Sequence, residues 1–142
     1  MNAFNASREI PATAEEVFAA FSHPERLARW WGPKGFTSTF SVCEFRNGGR
    51  WSLIMHGPDG KNYSNESIFA EIVPAEKIVI EHVSKPKYRL TIILSPSRAG
   101  TAVLWSQEFE NSKFAESMKL FLSTANEQNL DRLSAEVISA TA

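Results

Sequence analysis

The chain carries one cysteine, Cys43, among 142 residues, so it can form no internal disulfide. That fits a reducing compartment, and a cytoplasmic location is expected. No apolar run approaches the ~18 residues that a membrane-spanning helix needs. Residues 1–9 lack the basic-then-apolar pattern of a secretion signal. An excess of charge of one sign is missing too. Fifteen basic and 16 acidic residues nearly cancel, and no Lys/Arg cluster stands out. Nucleic acid is therefore not an expected partner. The chain also has no glycine-rich phosphate loop, no Gly-x-Ser-x-Gly elbow and no Cys/His metal spacing. No cofactor and no metal are expected.

What remains is an ordinary globular composition, 43% hydrophobic and 22% charged, with one unusual figure. Ten Phe, four Trp and two Tyr make up 11% of the chain. Aromatics bury large areas, so they build a dense core or line a pocket. The length suits one domain over residues 1–142. Cys43 falls in a predicted strand with no His near it in sequence, and reads as a small packed hydrophobe.

The stretch His23-Pro24-Glu25-Arg26-Leu27-Ala28-Arg29-Trp30-Trp31-Gly32-Pro33 concentrates the aromatic signal. Two adjacent indoles end a short helix, and Gly32-Pro33 stops it. Neighbours on a helix point about 100° apart, so the pair cannot share one face. One indole is expected to plug the end of the core and the other to border a cavity. The spacing does not say which.

Element signals run in a clear order. A strand is predicted over 3–9. Thr13-x-x-Glu16 has capping-box spacing and opens a helix with Val17, Phe18 and Phe21 on its apolar face. Pro24 suits the first turn of a second helix. From Thr37 to Phe109 the signals are those of six antiparallel strands joined by short turns, with Asn47-Gly48-Gly49 as a tight turn. Asn111 or Ser112 then caps one long helix to about Ile138, roughly 40 Å at 1.5 Å per residue. The fold class is α+β: a curved antiparallel sheet of about seven strands around a long C-terminal helix, with two small helices after strand one.

Alternation marks the rows expected to face that helix. Trp51, Leu53 and Met55 share one side of their strand, as do Ile80 with His82, Leu90 with Ile92, and Trp105 with Gln107. Glu66 is placed inward with Ile68, Ala70 and Ile72. Three polar residues, Glu66, His82 and Gln107, thus enter apolar rows. They anchor a mostly apolar cavity, unless strand ends or a bulge turn them outward. The candidate cavity residues are Trp30, Trp31, Phe36, Trp51, Leu53, Met55, Glu66, Ile80, His82, Leu90, Trp105 and Gln107. Phe114, Met118 and Phe121 close it from the helix. His82 with Glu66 is the candidate proton-transfer pair; the same pair can be a structural hydrogen bond.

Across nearly the whole chain the ordered motifs resemble one family. They are Arg8 with Ile10-Pro11-Ala12, Pro24-Glu25-x-Leu27-x-x-Trp30-Trp31-Gly32-Pro33, Glu44-x-Arg46-x-Gly48-Gly49-Arg50-Trp51, Ile72-Val73-Pro74-x-Glu76-Lys77-Ile78 and Gly100-Thr101. The set resembles the AHSA-type branch of the START-like (SRPBCC) superfamily. Glu44 stands where that branch commonly has Asp, and His23 holds a position often occupied by Asp. The resemblance implies a helix-grip fold with a deep hydrophobic cavity, and no catalytic residue carries over. The leading expectation is a protein that binds a hydrophobic or aromatic small molecule or lipid, as a monomer or homodimer. A cyclase- or aromatase-type enzyme using His82 and Glu66 is the first alternative. A chaperone-linked module of stress response is the second.

Overall fold

The computed structural model describes residues 2–141. β1 (Ala3–Ile10) leads into α1 (Ala14–Ser22) and α2 (Pro24–Trp30). Six strands follow: β2 (Thr37–Cys43), β3 (Arg50–His56), β4 (Asn62–Val73), β5 (Lys77–His82), β6 (Tyr88–Pro96) and β7 (Thr101–Phe109). They form one antiparallel open sheet in the order β1-β7-β6-β5-β4-β3-β2. This is the helix-grip arrangement expected above.

The capping box at Thr13 is present. Thr13 Oγ1 accepts the Glu16 N–H at 3.1 Å, and the Thr13 N–H donates to Glu16 Oε1 at 2.8 Å. These bonds satisfy two of the groups a helix start leaves open. Asn111 caps the C-terminal helical segment, its Oδ1 accepting the Phe114 N–H at 3.0 Å. That segment is not one helix. α3 (Ser112–Ser117) ends at Met118, and α4 (Lys119–Thr141) restarts beyond it. The break lets α3 pack on β7 while α4 runs past β1, α1 and α2. No helix among the described residues is long and apolar enough to cross a membrane.

The core lies between the sheet's inner face and the helices. Trp51, Leu53, Phe69, Ile80, Ile92 and Val103 meet Leu130, Leu133 and Val137 of α4 and Phe21, Leu27 and Trp30 of the small helices. Each large side chain buried this way contributes about 1.5–3 kcal/mol. Cys43 packs at the edge of this cluster, and burial pushes its thiol up to about 11, which keeps it protonated.

One expectation fails where β4 is irregular. β2 ends at Cys43, and residues 44–49 form a loop that contains the expected tight turn, closed by the Gly49 N–H donating to the Arg46 carbonyl at 2.8 Å. The loop docks on β4: the Gly48 N–H donates to the Phe69 carbonyl at 2.7 Å, and the Phe69 N–H to the Gly49 carbonyl at 2.9 Å. A Cβ on Gly49 would lie 1.8 Å from the Glu44 carbonyl oxygen, so only glycine fits. Beside this docked loop, β4 carries a bulge between Phe69 and Glu71. The bulge reverses the inward phase. Ser67 and Phe69 are buried before it and Ile72 packs on the core after it, whereas Ile68 is exposed.

Candidate functional site

The two indoles divide their work. Trp30 is the plug: it is buried, its ring meets Phe21 at 4.9 Å, and its N–H donates to the Ala20 carbonyl at 2.9 Å. Trp31 borders the cavity, with its ring 4.6 Å from Trp51 and 5.9 Å from Trp105. Gly32, at φ +104°, then brings the backbone against the wall. A Cβ there would lie 2.8 Å from Met55 Cε.

α4 clamps this turn from the other side. Arg132 donates to the carbonyls of Arg29 at 2.8 Å and of Gly32 and Pro33 at 2.9 Å each. Those carbonyls follow the last turn of α2, where the helix leaves acceptors open. Asn129 adds a bond to the Trp30 carbonyl at 3.2 Å. The guanidinium is thereby committed to backbone and does not face the cavity as a free cation.

The cavity has two lobes. An inner lobe of about 100 Å³ lies between β6–β7 and α4, among Trp31, Leu90, Trp105, Gln107, Leu122 and Asn126. An outer lobe of about 540 Å³ opens between the β3–β4 hairpin and the α3–α4 junction, among Phe36, Pro58, Tyr63, Asn65, Met118 and Phe121. Pro33, Met55 and Ala125 line both, so the lobes share a wall. Among the described residues, the only charged one on either lining is Asp59, in the outer lobe. In the inner lobe Asn126 Nδ2 donates to Gln107 Oε1 at 3.0 Å, both residues being buried. Tyr88 also lines this lobe, and burial pushes its phenol far up, so it stays neutral. The buried indole N–H groups of Trp51 and Trp105 have no partner.

Of the residues expected at the cavity, Trp31, Met55, Leu90, Trp105 and Gln107 line the inner lobe, and Phe36, Met55, Met118 and Phe121 the outer. Trp30, Trp51, Leu53 and Ile80 belong to the packed core and border neither lobe. Phe114 packs on Phe109 and lines a separate surface cleft with Lys85 and Lys87.

The expected Glu66–His82 pair does not exist. Glu66 sits opposite Ser52, which alternates with buried Trp51 and Leu53, so it faces away from the helices. There it accepts from the Ser52 hydroxyl. The bulge in β4 is the reason: phase counted back from Ile72 is wrong by one residue beyond it. His82 does point inward and is buried, but both ring nitrogens are occupied. Nδ1 lies 2.7 Å from the Pro86 carbonyl and Nε2 2.7 Å from Asn65 Oδ1. Tyr88 stacks on the ring with centroids 4.5 Å apart, and burial lowers the His82 pKa. His82 borders a different cleft, shared with Glu81, Arg89 and Glu108, so it touches neither lobe.

Sequence reasoning missed Leu122, Ala125, Asn126 and Asn129 as cavity residues. They sit at i, i+3, i+4 and i+7, one stripe of α4, and the signal was two amides falling in an apolar stripe. Pro58, Asp59, Tyr63 and Asn65 had no such signal, because only the fold brings their hairpin over α3–α4.

A family model described as activator of Hsp90 ATPase homolog 1-like protein matches residues 11–137. The chain belongs to this family. Among solved structures, a Nitrosomonas europaea protein aligns with a TM-score of 0.88 at 18% identity, over 98% of this chain and 96% of that one. A Chromobacterium violaceum protein aligns at 0.82 and 26% identity, over 95% and 96%. An AHSA1-like protein from Aeromonas hydrophila aligns at 0.79 and 18% identity, over 98% and 94%. No curated protein matches the chain. In this chain the Trp30-Trp31-Gly32-Pro33 stretch lies at the edge of the inner lobe, held by Arg132 and Asn129 of α4.

Proposed function

We propose that this chain binds an apolar or aromatic small molecule in the two-lobed cleft. The observation that carries the reading is the outer lobe: about 540 Å³, walled by Phe36, Met55, Pro58, Met118 and Phe121, and sharing Pro33, Met55 and Ala125 with a smaller inner lobe. Small-molecule sites are commonly ~300–1,000 Å³, largely apolar, with a few placed polar groups. Phe121 is 54% exposed at the mouth, which is costly for a phenyl ring unless something covers it. Neither Glu66 nor His82, the pair expected to transfer protons, lines either lobe, and the reading offered is one of binding.

Native mass spectrometry against a panel of fatty acids, alcohols, sterols and aromatics tests it. Trp31 lies at the wall, so a bound guest is expected to change tryptophan emission as well. A panel giving neither mass adducts nor emission changes defeats the reading. The family description supports a second reading, contact with an Hsp90-type ATPase, with apolar Leu120 86% exposed beside Phe121 as a contact point. An Hsp90 ATPase rate unaltered by excess protein removes that reading.

A further inference from the structure

The inner lobe carries a pattern of hydrogen-bonding groups that selects among apolar guests. Trp105 lines this lobe and is 2% exposed, and its indole N–H has no partner. Indole can only donate, and a buried donor left unpaired costs free energy. Gln107 and Asn126 line the same lobe. Their single bond uses one donor and one acceptor. Whichever way the two amides are set, one amide N–H₂ and one amide oxygen remain at the wall. The Tyr88 phenol on the same wall can donate or accept.

We infer that the site takes an uncharged apolar molecule ending in a hydroxyl, with that hydroxyl seated in the inner lobe and the apolar body lying in the outer one. This rests on the binding role proposed above. A hydroxyl both accepts and donates, so it can meet one amide N–H and one amide oxygen together. A carboxylate cannot donate, and it finds no cation on either lining. An ether or ketone leaves the amide oxygen unmet. The volumes agree with this polarity. At about 100 Å³ the inner lobe is smaller than the ~150 Å³ cavity that takes up benzene, so it admits a head group, while the body needs the outer 540 Å³.

Three probes of one chain length test this: octan-1-ol, octyl methyl ether and octanoate, titrated against ¹⁵N-labelled protein. The Trp105 indole resonance, assigned by its loss in Trp105→Phe or through its own side-chain correlations, is followed alongside Kd. Octan-1-ol is expected to move that resonance and to bind about tenfold tighter than the ether, with octanoate the weakest. The double variant Gln107→Met/Asn126→Leu swaps both amides for apolar groups of similar size. It should bring alcohol and ether within threefold of each other. Equal binding of alcohol and ether by the native chain, or an unmoved Trp105 resonance at saturation, overturns the head-group assignment and leaves cavity binding standing. Failure of all three probes to bind overturns the cavity reading itself, and this inference with it.

Discussion

Arg132→Met tests how the cavity lip is held. The guanidinium makes three bonds of 2.8–2.9 Å to the carbonyls of Arg29, Gly32 and Pro33. A bond from a charged donor contributes about 1.5–3 kcal/mol, so three give roughly 4.5–9 kcal/mol gross. Two effects cut this. Arg132 is only partly buried, and the freed carbonyls regain water. Methionine also keeps the apolar stem packed. A net loss of roughly 2–3 kcal/mol remains, which for a domain of this size lowers Tm by roughly 5–10 °C. Urea unfolding followed by tryptophan emission measures it. Arg132→Lys supplies a point charge that cannot reach all three carbonyls at once, so it should recover about half the loss. A loss below ~0.5 kcal/mol in Arg132→Met, or full recovery in Arg132→Lys, refutes the claim that this side chain holds the lip.

Other consequences separate the cavity from the scaffold. Ala125 lines both lobes, so Ala125→Phe should fill space in both and weaken guest binding more than tenfold with Tm unchanged or raised; binding retained at native strength in a folded variant would place the guest elsewhere. Gly49→Ala forces a Cβ against the Glu44 oxygen and should cost about 3 kcal/mol or more, whereas Gly48→Ala, at φ +78° in open space, should cost only about 1–2 kcal/mol. Comparable urea midpoints for the two variants would contradict the docked-loop account. Glu136 bonds Arg29 and Arg26, and these hold its carboxyl below the usual range. Its stabilisation is complete above the ordinary carboxyl pKa and is lost as pH falls through the depressed folded value. The stability gap between native chain and Glu136→Gln should therefore shrink as pH is lowered from above the ordinary carboxyl range of about 4 into acid. A gap constant over that range shows that the pair contributes nothing through charge.

Much of this protein was legible in its residues because the signals were local. Capping at Thr13, proline at the start of α2, and alternation in β3, β5, β6 and β7 each depend on neighbours within a few positions. They suffice for the element order and for the rows of Trp51, Leu90 and Trp105. The family resemblance was legible for a related reason, since part of it rests on turn glycines such as Gly32 and Gly48, whose positive φ is a local backbone requirement. The site was less legible. The phase of β4 flips at a bulge that exists because the 44–49 loop docks there, a contact between residues about twenty apart in sequence. That one residue of slip moved Glu66 to the outer face and dissolved the proposed acid–base pair.

The sequence by itself determined which elements form and that an aromatic-rich interior exists between them. Only the tertiary structure decided which indole plugs and which borders the cavity, since Trp30 and Trp31 differ by their contacts with Ala20 and Trp51, not by type. It also decided that the C-terminal helix breaks at Met118, and that the β3–β4 hairpin forms the cavity's outer wall. The physical reason is range. Periodicity and capping are set within a turn or two of chain, whereas a cavity is the space left when distant elements pack, and no short window of sequence contains it.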